Sequence, residues 1–276
     1  MPANEDQIKF WNEKAGQDWT VLQERMDANL AAIGDAVLAL AAAKPDETVL
    51  DVGCGTGATS LALARAGAKV TGLDVSKPML GLARSRAIQA GLDITFLEAD
   101  ASAYAFQPEF DLIFSRFGVM FFDDPIAAFA NLHKALKPGG RLAFVCWRTL
   151  PENLWAFTPL IAAKPFLPEQ PPPDPNAPGP FAFADPQRIL SILTDVGFHT
   201  VETRKYDGVM RMGRDIATIA AQTLQIGPLS RAVGEADEAT RAKIVEAVRG
   251  AMTKFAGPDG EVAPPTACWL VSAVKD

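Results

Sequence analysis

Residues Thr48 to Gly57, TVLDVGCGTG, constrain the fold of this chain more than any other stretch. Val49, Leu50 and Val52 read as a buried parallel strand, and Ala58 to Ala66 as the helix that follows it. The chain must therefore turn sharply at Gly53, Gly55 and Gly57. Without a Cβ, these positions accept positive φ and let a ligand lie against bare backbone. The helix that follows aims free N–H groups and a partial positive charge at whatever fills the turn.

The glycines alone are ambiguous, because Gly53-x-Gly55-x-x-Ala58 also fits the turn of dinucleotide-binding oxidoreductases. Asp51 discriminates between the two readings. A carboxylate just ahead of the loop repels a pyrophosphate but suits a ligand that carries an ammonium beside its carboxylate. S-adenosylmethionine has both groups. About twenty residues further on, the run Lys69 to Asp74 ends in an acid that can accept from two ribose hydroxyls, and the run ending Glu98-Ala-Asp100-Ala101 offers an acid to an adenine amino group. Three acids at three strand ends describe an adenosine joined to an amino acid.

The segments VLDVGCGTG, GLDVS, EADA, FDLIFS and LKPGGRL, in this order and spacing, resemble the motifs of class I S-adenosylmethionine-dependent methyltransferases of the small-molecule type. The likeness covers about residues 41–147. It implies that Asp51, Gly53, Gly55 and Gly57, with Cys54 among them, surround the methionine part of the cofactor, and that Asp74 takes the ribose. By the same resemblance Val75 and Met79 flank the adenine, Asp100 and Ala101 meet its edge, and Ser115 and Arg116 lie at the end of the fourth strand. Related enzymes often place a tyrosine-bearing segment over the cofactor near the N-terminus; here Trp11 and Trp19 stand in the corresponding stretch, with Phe10 beside them.

Composition narrows the partners. A formal charge of -7 and a pI near 5.0 offer no basic face to a polyanion, so nucleic acid is not expected as a substrate. Nucleic-acid amino-methyltransferases usually carry an N/D-P-P-Y/F segment after the fourth strand, where this chain has Ser115-Arg116-Phe117-Gly118. Cys54, Cys146 and Cys268 have no metal-ligand spacing and read as buried free thiols, so no metal is expected. The first eighteen residues are polar and lack the apolar core of a signal or anchor, and no stretch is long and clean enough to cross a bilayer. The expectation is a cytoplasmic protein, monomer or homodimer.

Along the chain, a helix over 27–43 follows the aromatic segment, and Ser76 reads as the N-cap of a helix with Pro78 in its first turn, ending at Gly91. Strands are expected over 93–97, 110–114 and 141–147, the last after a helix that stops at Lys137-Pro-Gly-Gly. Alternating strands and helices give a Rossmann-like α/β fold: a mostly parallel seven-stranded sheet with helices on both faces and ligands at the carboxyl ends of the strands. His133 and His199 then fall at the opposite edge, away from the site. A proline-rich irregular loop spans 169–180, helices cover 185–196, 215–226 and 237–255, and strands 198–206 and 267–274 close the sheet. The resulting division is an N-terminal cover (1–43), a cofactor-binding core (44–150), a cap insertion (151–183), a core helix and strand (184–207), a helical cap insertion (208–262) and a final core strand (263–276).

Methyl transfer from a sulfonium requires mainly that the acceptor atom be held about 3 Å from the methyl, opposite sulfur, with water excluded. A base helps only where the acceptor must lose a proton. The catalytic residue is therefore left open, with Arg116, Tyr104 and Glu152 as candidates. Trp155, Phe157, Phe166, Phe181 and Phe183 crowd the first cap segment and suggest an apolar pocket for a small, partly hydrophobic acceptor. Two other readings remain open: an NAD(P)-dependent oxidoreductase, and a non-catalytic protein that binds S-adenosylmethionine as a regulator.

Overall fold

The computed structural model describes residues 4–169, 174–234 and 236–276, without the side chain of Lys14. The strands are β1 (Thr48–Val52), β2 (Lys69–Asp74), β3 (Ile94–Glu98), β4 (Phe110–Arg116), β5 (Leu136–Trp147), β6 (His199–Val209) and β7 (Pro265–Val274). They form one sheet in the order β3-β2-β1-β4-β5-β7-β6, parallel except for β7, which runs antiparallel to both β5 and β6. The expected seven-stranded, mostly parallel Rossmann-like sheet is borne out.

The central strands are buried on both faces, which explains their nearly unbroken apolar sequence: Val49, Leu50, Leu112, Ile113 and Phe114 have no exposed surface. Phe114, Phe129, Phe144, Phe183 and Phe198 are the largest side chains sealed in this core. Helices α4 (Ala58–Arg65), α5 (Lys77–Ala90), α6 (Pro125–Ala135) and α8 (Pro186–Asp195) connect or flank the strands. A second apolar cluster forms away from the sheet. It joins α7 (Leu154–Ala163), α9 (Ile216–Thr223), α10 (Pro228–Val233) and α11 (Glu238–Met252) through Ala163, Ile219, Leu229, Ile244, Val248 and Met252.

The N-terminal stretch departs most from the sequence expectation. In place of a polar segment and one helix over 27–43, it folds into α1 (Glu5–Asn12), α2 (Lys14–Val21) and α3 (Gln23–Ala41). Strand β5 begins at Leu136, five residues earlier than expected: Leu136 pairs with Phe110 and Arg141 with Leu112, so residues 137–140 bulge between these pairs. Ser76 occupies the N-cap of α5 but does not cap it with its side chain; the hydroxyl instead donates to the Trp11 carbonyl at 2.7 Å. Within the expected loop over 169–180, residues 170–173 lie outside the described residues, and 174–180 form turns.

Candidate cofactor and acceptor site

The carboxyl ends of β1, β2 and β4 open into a cleft of about 830 Å³, toward the upper end of the roughly 300–1,000 Å³ usual for ligand pockets. Its floor is the glycine turn. Gly53 and Gly55 have φ of 66° and 56°, and a Cβ on Gly53 would stand 2.6 Å from the Gly118 Cα. The tips of β1 and β4 thus meet backbone to backbone. Ser115 fixes that contact: its hydroxyl donates to the Val52 carbonyl at 2.7 Å and accepts from the Gly118 amide at 3.1 Å. Between them Phe117 takes a φ of 66° and lays its ring on Trp147, with centroids 4.2 Å apart. Positive φ in a bulky residue is strain of the kind that concentrates at functional sites.

Asp74 ends β2 at the cleft wall. Its Oδ2 accepts from the Gly55 amide at 2.8 Å and its Oδ1 from the Ser76 amide at 2.9 Å, so the carboxylate ties the glycine turn to the start of α5. Burial raises its pKa, and the amide hydrogen bonds oppose the rise. Asp100 is held similarly: Oδ1 accepts from the Ser102 amide at 2.9 Å and from Asn4 Nδ2 at 2.8 Å. Asn4 also exchanges two bonds with Asp123, giving its amide to the carboxylate at 2.8 Å and taking the Asp123 amide at 2.7 Å. The first described residue therefore bridges the loops after β3 and β4 and brings α1 across the cleft mouth. Trp11 packs edge-on against Trp19 and Phe121 there.

Asp51 has no place in the cleft wall. Fully buried, it accepts through Oδ2 from Thr59 Oγ1 at 2.8 Å and Ser60 Oγ at 2.6 Å, anchoring the first turn of α4. Its Oδ1 has no hydrogen-bond partner. Burial lifts its pKa to about 6 against the pull of the two hydroxyls and of Arg116. Thr59 stands on the cleft wall, so Asp51 faces a ligand from behind that side chain. Gly57 also lies outside the wall. A Cβ there would meet Ala83 and Leu61 at 3.0 and 3.1 Å, so this glycine lets α4 pack against α5.

Arg116 lines the cleft with its side chain 13% exposed, 3.9 Å from Asp27 on α3, and makes no hydrogen bond to a described residue. The better-placed Arg86 takes Asp27 at 2.7 Å. Burial lowers the pKa of Arg116, and Asp27 and Asp51 partly offset this. Helix α4 starts at Gly57 with no side chain capping it, which leaves its first amides available to an anion.

Of the residues expected at the cofactor, Trp11, Trp19, Gly53, Cys54, Gly55, Asp74, Val75, Met79, Asp100, Ala101 and Arg116 line this single cleft. Asp51, Gly57 and Ser115 lie behind it. Trp155 and Phe181 also line it, whereas Phe183 sits in the sheet core against Phe129 and Phe144, Phe166 is 37% exposed, and Phe157 is outside the lining. Neither Tyr104 nor Glu152 reaches the cleft. Tyr104 packs on Phe106 at the surface, and Glu152 is engaged by Arg148 and Thr149. His133 and His199 are at the far end of the sheet, His133 against Phe198 and His199 beside Asp276.

Residues 49–140 match a family described as methyltransferase domain. Over these residues the chain is similar to methyltransferase domains. The chain spans about half the length of the curated relatives it matches: it is 35% identical over 150 residues to an uncharacterized protein of Mycobacterium tuberculosis strain H37Rv, covering 53% of this chain and 54% of that one. It is 42% identical over 106 residues to a demethylmenaquinone methyltransferase of Thermus thermophilus, 37% of this chain and 48% of the relative. A malonyl-[acyl-carrier protein] O-methyltransferase of Salmonella typhimurium is 38% identical over 142 residues, 49% and 55% of the two chains. Among solved structures, magnesium protoporphyrin IX methyltransferase of Synechocystis PCC 6803, with S-adenosylhomocysteine bound, superposes with a TM-score of 0.59 at 17% identity over 98% of this chain and 99% of that one. The fold of that structure thus extends over nearly the whole chain, whereas the family match covers residues 49–140.

Several wall residues of this cleft carry no signal in the sequence. Asn4, Gln7, Arg25 and Asn29 reach the cleft from α1 and α3, and Gln222 and Arg231 from the later helices. Their common cause is tertiary: helices remote in sequence fold over the strand tips. No helix among the described residues is long and apolar enough to cross a membrane, and no group of His, Cys, Asp or Glu among them could hold a metal ion.

Proposed function

We propose that this chain transfers a methyl group from S-adenosylmethionine to a small, partly hydrophobic acceptor. The observation that carries the reading is one cleft in which a backbone-exposing glycine turn, an uncapped helix start and two carboxylates at neighbouring strand ends meet an arginine with no hydrogen-bond partner among the described residues. Asp74 keeps lone pairs for the ribose hydroxyls, Val75 and Met79 border the adenine, and Asp100 meets its edge. Arg116 and the first amides of α4 receive the methionine carboxylate. The buried charge of Asp51 favours the ammonium from behind Thr59.

When bound, the cofactor supplies an electrophilic methyl and its own leaving group. The chain orients and dries the site: Trp11, Trp19 and Phe121 close the mouth, while Phe117, Trp147, Trp155 and Phe181 give the acceptor apolar walls. In this reading residues 151–183 and 208–262 act as the cap and residues 1–43 as a cover. No carboxylate or imidazole among the described wall residues stands clear as a general base, which suits an acceptor already nucleophilic at neutral pH. Titration calorimetry tests the reading. S-adenosylhomocysteine is expected to bind in the micromolar range or tighter and NADH not to bind; the reverse would make the chain an oxidoreductase. Labelled S-adenosylmethionine incubated with a small-molecule extract should then give labelled apolar products. Binding without any transfer would instead indicate a regulatory protein.

A further inference from the structure

The cap side of the cleft holds a second cation, and its surroundings describe the acceptor. Arg231, in α10, lines the cleft with its guanidinium 4.5 Å from the centre of the Phe10 ring, and one of its nitrogens lies 3.7 Å from where a Cβ on Gly179 would stand. It makes no hydrogen bond or ion pair with a described residue. Surrounding protein lowers its pKa through desolvation, with no acid acting to raise it. More than a third of its surface stays accessible, and it borders the cleft beside Pro180, Phe181, Ile226 and Leu229. Other arginines of limited exposure have acid partners: Arg86 bonds Asp27, Arg141 bonds Glu47 and Arg148 bonds Asp207 and Glu152, while Arg116 stands 3.9 Å from Asp27.

A guanidinium held on an aromatic face, desolvated on one side and without a counter-ion among the described residues, gains most from an oxyanion that arrives with its own apolar body. We propose that Arg231 is a specificity-determining residue that receives an oxyanion group, such as a carboxylate, on an otherwise apolar acceptor. This rests on the methyltransferase reading and narrows its substrate class. The apolar walls take the body of the molecule, and Arg231 anchors the charged end, so that the nucleophilic atom points back toward the glycine turn. Phe10 supports the guanidinium from the N-terminal cover, so this subsite is complete only when α1 lies across the cleft.

The test uses the full chain saturated with S-adenosylhomocysteine and two fluorescent probes of one ring skeleton. They are 1-anilinonaphthalene-8-sulfonate, an anion, and N-phenyl-1-naphthylamine, which is neutral. Wild type is expected to favour the sulfonate, and Arg231→Gln to weaken the sulfonate about tenfold, the effect of one charge-assisted hydrogen bond, with the neutral probe changed less than about twofold. Decanoate should displace the sulfonate better than 1-decanol does. Equal weakening of both probes in Arg231→Gln, reproduced by Phe10→Leu, would show that Arg231 only latches the N-terminal cover and would overturn the proposal, as would unchanged sulfonate binding. Calorimetry with S-adenosylhomocysteine on the same samples separates the two failures: no cofactor binding by wild type refutes the methyltransferase reading, whereas normal cofactor binding without charge discrimination refutes only the role of Arg231.

Discussion

Replacing Asp51 with asparagine should stabilise the protein at neutral pH and leave it nearly unchanged in acid. Burial raises the folded-state pKa of Asp51 from 3.8 to about 6. Below about pH 4 the group is neutral in both folded and unfolded chains and has no effect on the balance. As pH rises through 4 to 6 the unfolded chain releases its proton first, so the folded state loses stability until Asp51 also ionises. At about 1.36 kcal/mol per pKa unit, the gap amounts to about 3 kcal/mol in favour of unfolding at pH 7. Asparagine keeps an oxygen for the Thr59 and Ser60 hydroxyls and carries no charge, so this pH-dependent loss disappears. Urea unfolding followed by tryptophan fluorescence, for both proteins between pH 4 and pH 8, isolates the effect, because every other titration cancels in the difference. The difference should grow by about 3 kcal/mol across the window, with the asparagine variant gaining as pH rises. A flat difference would mean that Asp51 is not desolvated as described, and a difference of opposite sign would mean that it is ionised and well paired in the folded chain.

Asp74→Ala should weaken S-adenosylhomocysteine binding by about 1.5–3 kcal/mol, the cost of losing a charged hydrogen-bond acceptor, measured by calorimetry; unchanged affinity would place the ribose elsewhere. Gly53→Ala and Gly91→Ala both put a Cβ at positive φ, but the first meets the Gly118 Cα at 2.6 Å and the second meets nothing within 4 Å. Thermal and urea melts should show a loss of about 1–2 kcal/mol at Gly91 and about 2–5 kcal/mol at Gly53, and equal losses would contradict the packed contact between the two strand tips. Asn4→Ala removes the bridge to Asp100 and Asp123 and should speed cofactor dissociation in stopped-flow measurements about 5- to 30-fold, for about 1–2 kcal/mol of hydrogen bonding; an unaltered rate would show that α1 does not close the cleft.

The core was legible because of how parallel sheets bury their strands. A strand covered on both faces is an unbroken apolar run, so its end, marked by Asp51, Asp74 or Asp100, stands out in the sequence, and ligands gather at those ends. Which way an end residue points is not written so plainly. Asp51 reads as a ligand contact, yet the hydroxyls of Thr59 and Ser60 draw it under α4, and Ser115 similarly turns inward to brace Gly118. Helix α1 escaped notice because it has no buried residue to mark a stripe; Phe10 and Trp11 gain their packing from partners far along the chain. Strand β5 started early because a bulge can carry Pro138 and two glycines that otherwise read as a turn. The aromatic crowding near residue 160 announced apolar walls without saying which rings belong to the cleft. Phe181 faces it, and Phe183, two residues on, is drawn into the sheet core by Phe129 and Phe144.

The tips of β1 and β2 form the proposed seat for an adenosyl amino acid. A crystal structure of the full chain grown with S-adenosylhomocysteine examines that most directly. It should show the ribose hydroxyls within hydrogen-bond reach of Asp74, the adenine beside Val75 and Met79, and the amino-acid carboxylate toward Arg116 and the start of α4. Density for the nucleoside anywhere else, or a cleft at these tips that stays unfilled at saturating concentration, would contradict it.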